Sequence, residues 1–299
     1  PDRNEEYLLY QTLIGAWPLE PYTPEMFDDF RERIAAYMLK ASKEAKVHSG
    51  WLNPNPTYDE ALQKFVRDVL SDTPKNRFLP DIRTFQQRIA RGGQLNALAQ
   101  QALKLTSPGV PDVYQGTELW TLSLVDPDNR RPVDYPARQA FLSDLQAHIA
   151  DPHRPRATLL SDLIDHAVDG RIKLYLTYCI LNYRRTHAAL FNAGDYQPLI
   201  ATGDKAQHVC AFSRNLHSAG SQGESLIMAV PRLINAIGSL DHLLPDAWGA
   251  TWLPLPDGTR RYRNLLTGEM LEIAQHAGMP AIDIATLFKQ FPVAVLVAE

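Results

Sequence analysis

Nine consecutive residues, Asp126-Pro127-Asp128-Asn129-Arg130-Arg131-Pro132-Val133-Asp134, carry three carboxylates, two guanidiniums and an amide. Such groups hydrogen-bond to the hydroxyls of a polar ligand, and they also pair with one another. Pro127 and Pro132 restrict the backbone, so the polar groups are presented in a fixed arrangement. Ahead of the loop, the apolar run Val110 to Tyr114 is predicted to be a short buried strand ending in Gln115-Gly116-Thr117-Glu118. Gly116 lets the chain turn, or pass close to a ligand, with no Cβ in the way. A strand, a glycine turn and a loop of carboxylates and guanidiniums is how an α/β barrel builds its site face. The candidate binding residues of this stretch are Gln115, Glu118, Asp128, Arg130, Arg131 and Asp134. The alternating charge signs fit equally a surface loop that pairs with itself.

A second cluster lies in Lys40, Lys43, Glu44, Lys46, His48 and Trp51, where a predicted helix ends. Cationic residues in a last turn complement the helix dipole, which accounts for Lys40 and Lys46 without any ligand. Trp51, set among small polar residues, has no such structural reason. An indole beside lysine and asparagine suits a sugar: the apolar ring face packs on the indole, while amines and amides take the hydroxyls. Lys40, Lys43 and Trp51 therefore join the candidate site. Trp248 and Trp252 are weighed both as a secondary sugar platform and as packing.

Other chemistries find no motif. The nine histidines show no metal spacing such as HExxH, and there is no P-loop, no dinucleotide GxGxxG and no nucleophile elbow around Ser107 or Ser123. No metal and no cofactor is expected.

The elements that must position these groups change character along the chain. Residues 1–105 are predicted to be helical. Asn4 is a possible cap for the first helix, which Pro18 stops. Thr23-Pro24-Glu25 starts the second, with an apolar stripe at Phe27, Phe30, Ile34, Tyr37 and Met38. Thr57 to Glu60 form a capping box before Leu62, Phe65, Val66 and Val69, and Gly92-Gly93 interrupts the pattern running from Asp81 to Leu105. Residues 106–195 hold the strand and loop, then two helices, Ala137 to Ile149 and one beginning after Asp169-Gly170. Residues 196–299 turn to short strands, at Val209 to Phe212, Leu226 to Val230, Thr251 to Leu255, Leu265-Leu266 and Val293 to Val297. Asn215, Gly220, Gly223, Pro256-Asp257-Gly258 and Thr267-Gly268 punctuate them, the pattern of an antiparallel sandwich. A helical segment from Asp283 to Gln290 precedes the last strand.

The 299 residues are 45% hydrophobic and 21% charged, with net charge −4 and pI near 6.2. This balance suggests neither nucleic acid nor an anionic membrane as partner, and suits a neutral ligand. Cys179 and Cys210 lie in apolar runs and are expected to be buried thiols, with one disulfide possible. With no signal peptide and no spanning segment in the sequence, a cytoplasmic location is the expectation.

The run GVPDVYQGTE resembles the eighth barrel strand of the α-amylase superfamily (glycoside hydrolase family 13), and DPDNRRPVD is close to a signature of its maltooligosyl trehalose synthase type. The resemblance extends through NEEYLLYQTLIGAWP (Asn4 to Pro18), KASKEAKVHSGWLNPNPTYDEAL (Lys40 to Leu62) and FPVAVL (Phe291 to Leu296). It implies a mixed α and β fold: a helical region (1–105), the last β/α unit of a (β/α)8 barrel (106–195) and a C-terminal antiparallel β-sandwich (196–299). It implies an intramolecular transglycosylation, from the reducing-end α-1,4 linkage of a maltooligosaccharide to an α,α-1,1 linkage, in trehalose biosynthesis. The superfamily's catalytic motifs, GxRxD, a following strand with Glu, and HD (followed by TKR in the synthase family), are missing from this sequence. The expectation is therefore a C-terminal fragment without catalytic residues, inactive alone, whose partners are the glucan and the absent N-terminal part of the barrel. A non-catalytic glucan-binding module, and a glucan hydrolase or 4-α-glucanotransferase using Asp128 and Asp134, are the competing readings.

Overall fold

A computed structural model describes residues 1–217, 223–237, 245–255 and 261–299. The turn signals at Gly220 and Pro256-Asp257-Gly258 lie outside the described residues. The chain divides into two compact units, one of Pro1–Ala90 with Thr121–Val133, the other of Arg91–Trp120 with Asp134–Glu299.

The first unit is helical, as the sequence implied. Helix α1 (Arg3–Ala16) is capped by Asp2, whose carboxylate accepts from the Glu5 amide at 2.8 Å. Asn4, the expected cap, lies inside the helix, because Asp2 already occupies the position that leaves Glu5 and Glu6 in the first turn. Helix α2 (Pro24–Ala45) starts where expected, with Thr23 accepting from Met26 N and Pro24 in the first turn. Helix α3 (Pro56–Val69) begins at Asn55, whose side chain accepts from Tyr58 N at 3.2 Å, and not at Thr57. Proline at the first helical position needs no amide donor, so Asn55-Pro56 takes the start from the later capping box. One core joins α1, α2 and α3 through Leu9, Leu13, Phe27, Phe30, Ile34, Met38, Leu62 and Val66. Helix α4 (Phe78–Thr106), whose residues from Arg91 on are counted with the second unit, runs unbroken through Gly92-Gly93. The flanking helix formers outweigh the roughly 1 kcal/mol that each glycine costs relative to alanine.

The strand expected over Val110 to Tyr114 is absent. These residues are irregular, and Val110 is 93% exposed. A strand exists only as a partner in a ladder, Pro108 and Pro111 remove two donors, and no described strand runs beside this segment. No parallel β/α unit is therefore present among the described residues.

The second unit is mixed. Asp134 caps helix α5 (Tyr135–Ala150), accepting from Ala137 N at 3.0 Å. Helix α6 (Arg156–Asp165), which the sequence reading passed over, precedes α7 (Arg171–Thr186) and the short α8 (Ala188–Ala193). Strands β1 (Gln197–Leu199), β2 (Thr202–Gly203), β3 (Val209–Leu216), β4 (Glu224–Pro231), β5 (Thr251–Pro254), β6 (Tyr262–Asn264), β7 (Met270–Leu271), β8 (Ala274–His276), β9 (Met279–Asp283) and β10 (Ala294–Ala298) make two antiparallel sheets. Their orders are β1-β3-β4-β10-β6-β7 and β2-β5-β9-β8. The expected strand at Leu265-Leu266 falls just after β6, and the expected helix over Asp283 to Gln290 is the single turn α9 (Ile284–Leu287).

The larger sheet is covered on both faces. On one, Ile227, Ala229, Ala294 and Leu296 share a core with Leu253 and Ile282 of the smaller sheet. On the other, Leu226, Met228, Val230 and Val295 pack with Ile172, Tyr175, Leu176 and Ile180 of α7. That is why Leu226 to Val230 is continuously apolar and not alternating. Cys179 is buried and Cys210 half-buried, and both thiols are free.

Candidate functional site

In the first unit, α2 presents two faces. One carries the apolar stripe of the core. The other carries Asp29, Arg33 and Lys40, which hold the segment 121–133. The Arg33 guanidinium meets Asp128 in a fork, Nε to Oδ1 at 2.7 Å and Nη2 to Oδ2 at 2.8 Å, and also donates to the Leu122 carbonyl at 3.1 Å. Asp128 Oδ2 further accepts from Leu124 N at 2.6 Å. Arg131 pairs with Asp29 at 3.0 Å, and Lys40 Nζ donates to the Asp126 carbonyl. Burial alone would raise the Asp128 pKa, but the Arg33 fork and the Leu124 amide hold it below the ordinary carboxylate value. Fork geometry and the shared partner make this pair stronger than a surface ion pair.

Arg130 differs from its neighbours. Among the described residues it pairs with Asp126, four residues back, and its side chain is 78% exposed at the tip of a single 3-10 turn, Asp128–Arg130. The sequence reading of a self-paired loop is thus met by Arg130 and Asp126, whereas Asp128 and Arg131 reach out to α2. Beside them, Tyr22, Met26, Asp29, Arg33, Leu122 and Arg131 line a groove of about 500 Å³.

The Lys40 to Trp51 cluster folds around the end of α2. Lys46 closes the helix in the left-handed conformation (φ 59°), its amide donating to Ser42 O at 3.2 Å. Lys43 Nζ pairs with Asp59 at 3.1 Å and sits 4.9 Å from the centre of the Trp51 ring. Trp51 is 60% exposed. It lines, with Lys46, His48, Ser49, Gly50 and Asn53, a concavity of about 470 Å³. The loop is pinned by Ser49, whose hydroxyl accepts from Asn55 N at 3.0 Å.

The remaining predicted residues lie in the second unit. Glu118 pairs with Arg138 Nε at 3.1 Å, and Arg138 Nη2 donates to Gly116 O at 2.9 Å. Gln115 Oε1 accepts from the Tyr135 hydroxyl at 3.3 Å. Trp120 Nε1 donates to Ala167 O at 2.6 Å and Lys173 Nζ to Leu119 O at 3.1 Å. Gly170, at φ 82°, completes the fit: a Cβ there would stand 2.9 Å from Trp120 N. Gly116 is likewise at positive φ, as its turn role requires. Asp134 is the α5 cap.

Arg33, Asp29, Asp59 and Arg138 were missed from sequence. The signal for Asp29, Arg33 and Lys40 is a shared helical face flanking the apolar stripe, and a charged face of that kind by itself describes any solvated helix face. Trp248 is fully buried against Phe288, 5.2 Å between rings, so it cannot form a sugar platform. Trp252 is half-buried and stacks on His276 at 4.7 Å. For a metal, Asp2, Glu5 and His48 bring ligand atoms within 4.8 Å of one another. All three are already satisfied, Asp2 by His48 at 2.8 Å and Glu5 by the Tyr58 hydroxyl. Among the described residues, no helix is long and apolar enough to cross a membrane.

No protein-family model matches the chain. A curated protein of Mycobacterium tuberculosis named as a maltooligosyl trehalose synthase is 34% identical over 299 residues, all of this chain and 32% of that protein. This chain is homologous to the maltooligosyl trehalose synthases. The solved synthase from Arthrobacter ramosus shares its fold at a TM-score of 0.73 and 32% identity, over 98% of this chain and 32% of that one. A Sulfolobus tokodaii structure, described as a hypothetical maltooligosyl trehalose synthase, gives 0.64 at 27% identity, covering 99% and 32%. The chain thus spans about a third of the length of the synthases it matches.

Proposed function

We propose that this chain is the C-terminal part of a maltooligosyl trehalose synthase and supplies part of its reducing-end glucan site. The observation that carries the reading is the match along the whole chain to proteins of that name, at 34% identity in sequence and a TM-score of 0.73 in structure. On this reading the two sheets form the C-terminal sandwich of the superfamily, and the segment 107–120 is completed by barrel strands from the rest of the enzyme.

The reaction retains anomeric configuration, so it needs a carboxylate nucleophile and a carboxylic acid/base roughly 5–5.5 Å apart. In the candidate site Asp128, Glu118 and Asp59 each face a cation, and the sequence lacks the superfamily's catalytic motifs. The catalytic acids belong to the remainder of the enzyme. The released glucose must stay bound and turn over before water attacks, which asks for a closed, rigid cleft end. Trp51 and Arg130 offer free surface to the sugar. In the first unit Lys40, Lys43, Asp128 and Arg131 brace the segments that carry these two residues; in the second, Gln115, Glu118 and Asp134 pair within their own unit.

The test is incubation with maltohexaose, following reducing ends and free glucose together. The isolated chain is expected to leave both unchanged, whereas the longer synthase containing it removes reducing ends with little glucose. Loss of reducing ends with the isolated chain would place catalytic acids within these residues and overturn the reading. Glucose release or chain disproportionation by the longer protein would favour a hydrolase or 4-α-glucanotransferase instead.

A further inference from the structure

Asp29, Arg33 and Lys40 fall within an arc of roughly 40° on α2, taking about 100° per residue, and span about 16 Å of its length. Each meets the segment 121–133 at a different point: Arg131, then Leu122 with Asp128, then Asp126. Arg33 stands apart from the other two. It binds both oxygens of Asp128 and also a carbonyl six residues earlier, and the same carboxylate accepts the Leu124 amide. Leu124 in turn packs against the core of the unit. Two points of the loop, Leu122 ahead of its turn and Asp128 at the turn's first residue, are therefore tied through one guanidinium. The pair is also the most sheltered of the three, with side chains 19% and 11% exposed against 50% and 54% for Arg131 and Asp29.

We infer that Arg33 is the positioning residue that fixes this loop and aims its tip cation, Arg130, at the glucan. Arg33 touches no substrate itself. The inference rests on the proposed glucan site, and its physical half stands independently: without Arg33 the loop loses its anchor whatever it binds. Lysine cannot replace it, because a single ammonium cannot span both carboxylate oxygens and the Leu122 carbonyl in one plane.

The experiment has two arms. In the first, hydrogen exchange of amides 121–133 is compared in the isolated chain for wild type, Arg33→Lys, Arg33→Met and Asp128→Asn. Arg67→Met, which removes an exposed pair with Glu32, serves as control. Exchange is expected to rise in the order wild type, Lys, Met, with Asp128→Asn also raised and the control unchanged. Wild-type exchange in both Arg33→Met and Asp128→Asn overturns the anchoring role, and the second of these keeps the test alive if the first fails to fold. In the second arm, the full-length synthase carries the same changes, and kcat and KM are measured with maltohexaose. For Arg33→Met, kcat/KM is expected to fall roughly ten- to a hundredfold through misplacement of the loop, mostly in KM, with Arg33→Lys partly restoring it. Raised exchange with unchanged kcat and KM overturns the role in catalysis. Should wild-type full-length protein prove inactive on maltooligosaccharides while the first arm holds, the proposed function falls and the anchor remains.

Discussion

Asp128 shows what a residue list in a sequence can and cannot deliver. Its type and setting marked it as functional, and the carboxylate does work, but on Arg33 and not toward open solvent. The partner is 95 positions away, and no local spacing encodes that pairing. Arg130 and Asp126, four apart, were legible for the opposite reason. The same limit separates Trp248 from Trp252, near neighbours in sequence, one sealed against Phe288 and the other half-open on His276. The Arg33 fork makes a pH statement. The folded pKa of Asp128 lies below its ordinary 3.8, so the unfolded chain binds the proton more readily. The pair therefore stabilises the loop at every pH above about 4, and that stability drains away only as pH falls through the lowered folded value. A carboxyl-carbon NMR titration is expected to place Asp128 below 3.8 in wild type. In Arg33→Met the value should move up, because burial is then opposed only by the Leu124 amide and the Arg131 charge. A midpoint at or above the ordinary value in wild type would mean the fork is not formed in solution.

At the scale of elements, helices were more readable than strands, and for a physical reason. A helix closes its own hydrogen bonds within a few residues, so Thr23-Pro24 and the stripe from Phe27 to Met38 were enough to locate α2. The apolar run Val110 to Tyr114 has strand composition, but a strand needs a neighbour, and composition does not supply one. Competing caps shifted α1 and α3 by two residues each, since Asp2 and Asn55-Pro56 won over Asn4 and Thr57. Gly92-Gly93 misled because glycine lowers helix propensity without forbidding the conformation. Gly93 is exposed and helical, and a Cβ built there meets nothing within 4 Å. Gly93→Ala is therefore expected to raise unfolding free energy by about 0.5–1 kcal/mol, chiefly by restricting the unfolded chain. Urea denaturation checks it: an unchanged or lower midpoint would show that the helix is not continuous there. Gly170→Ala, one more glycine change in the same unit, has no such freedom, given the 2.9 Å approach to Trp120 N.

For the molecule as a whole, the sequence indicated helices first and antiparallel strands last, and both are present. It did not indicate how cores would be shared. Leu226 to Val230 serves two cores at once, one with α7 and one with the smaller sheet, so α7 and the strands belong to a single unit although they are far apart in sequence. Conversely, residues 121–133 leave their sequence neighbours and join the helices of the first unit. That division has an energetic consequence. Ile34 is fully buried in a core built from α1, α2, α3, the start of α4, and the loop residues Trp17, Tyr22, Leu70 and Leu124. Ile34→Ala removes packing from that core alone and is expected to destabilise the first unit by about 2–5 kcal/mol. Tenfold in exchange rate corresponds to about 1.4 kcal/mol, so the slowest amides of α2 and α3 should exchange faster by roughly one and a half to three and a half orders of magnitude. The amides of β4 and β10, whose protection comes from the other two cores, should keep their rates. Equal acceleration in both sets would mean that the chain opens as one cooperative body, and that a core of its own does not make the first unit independent in free energy.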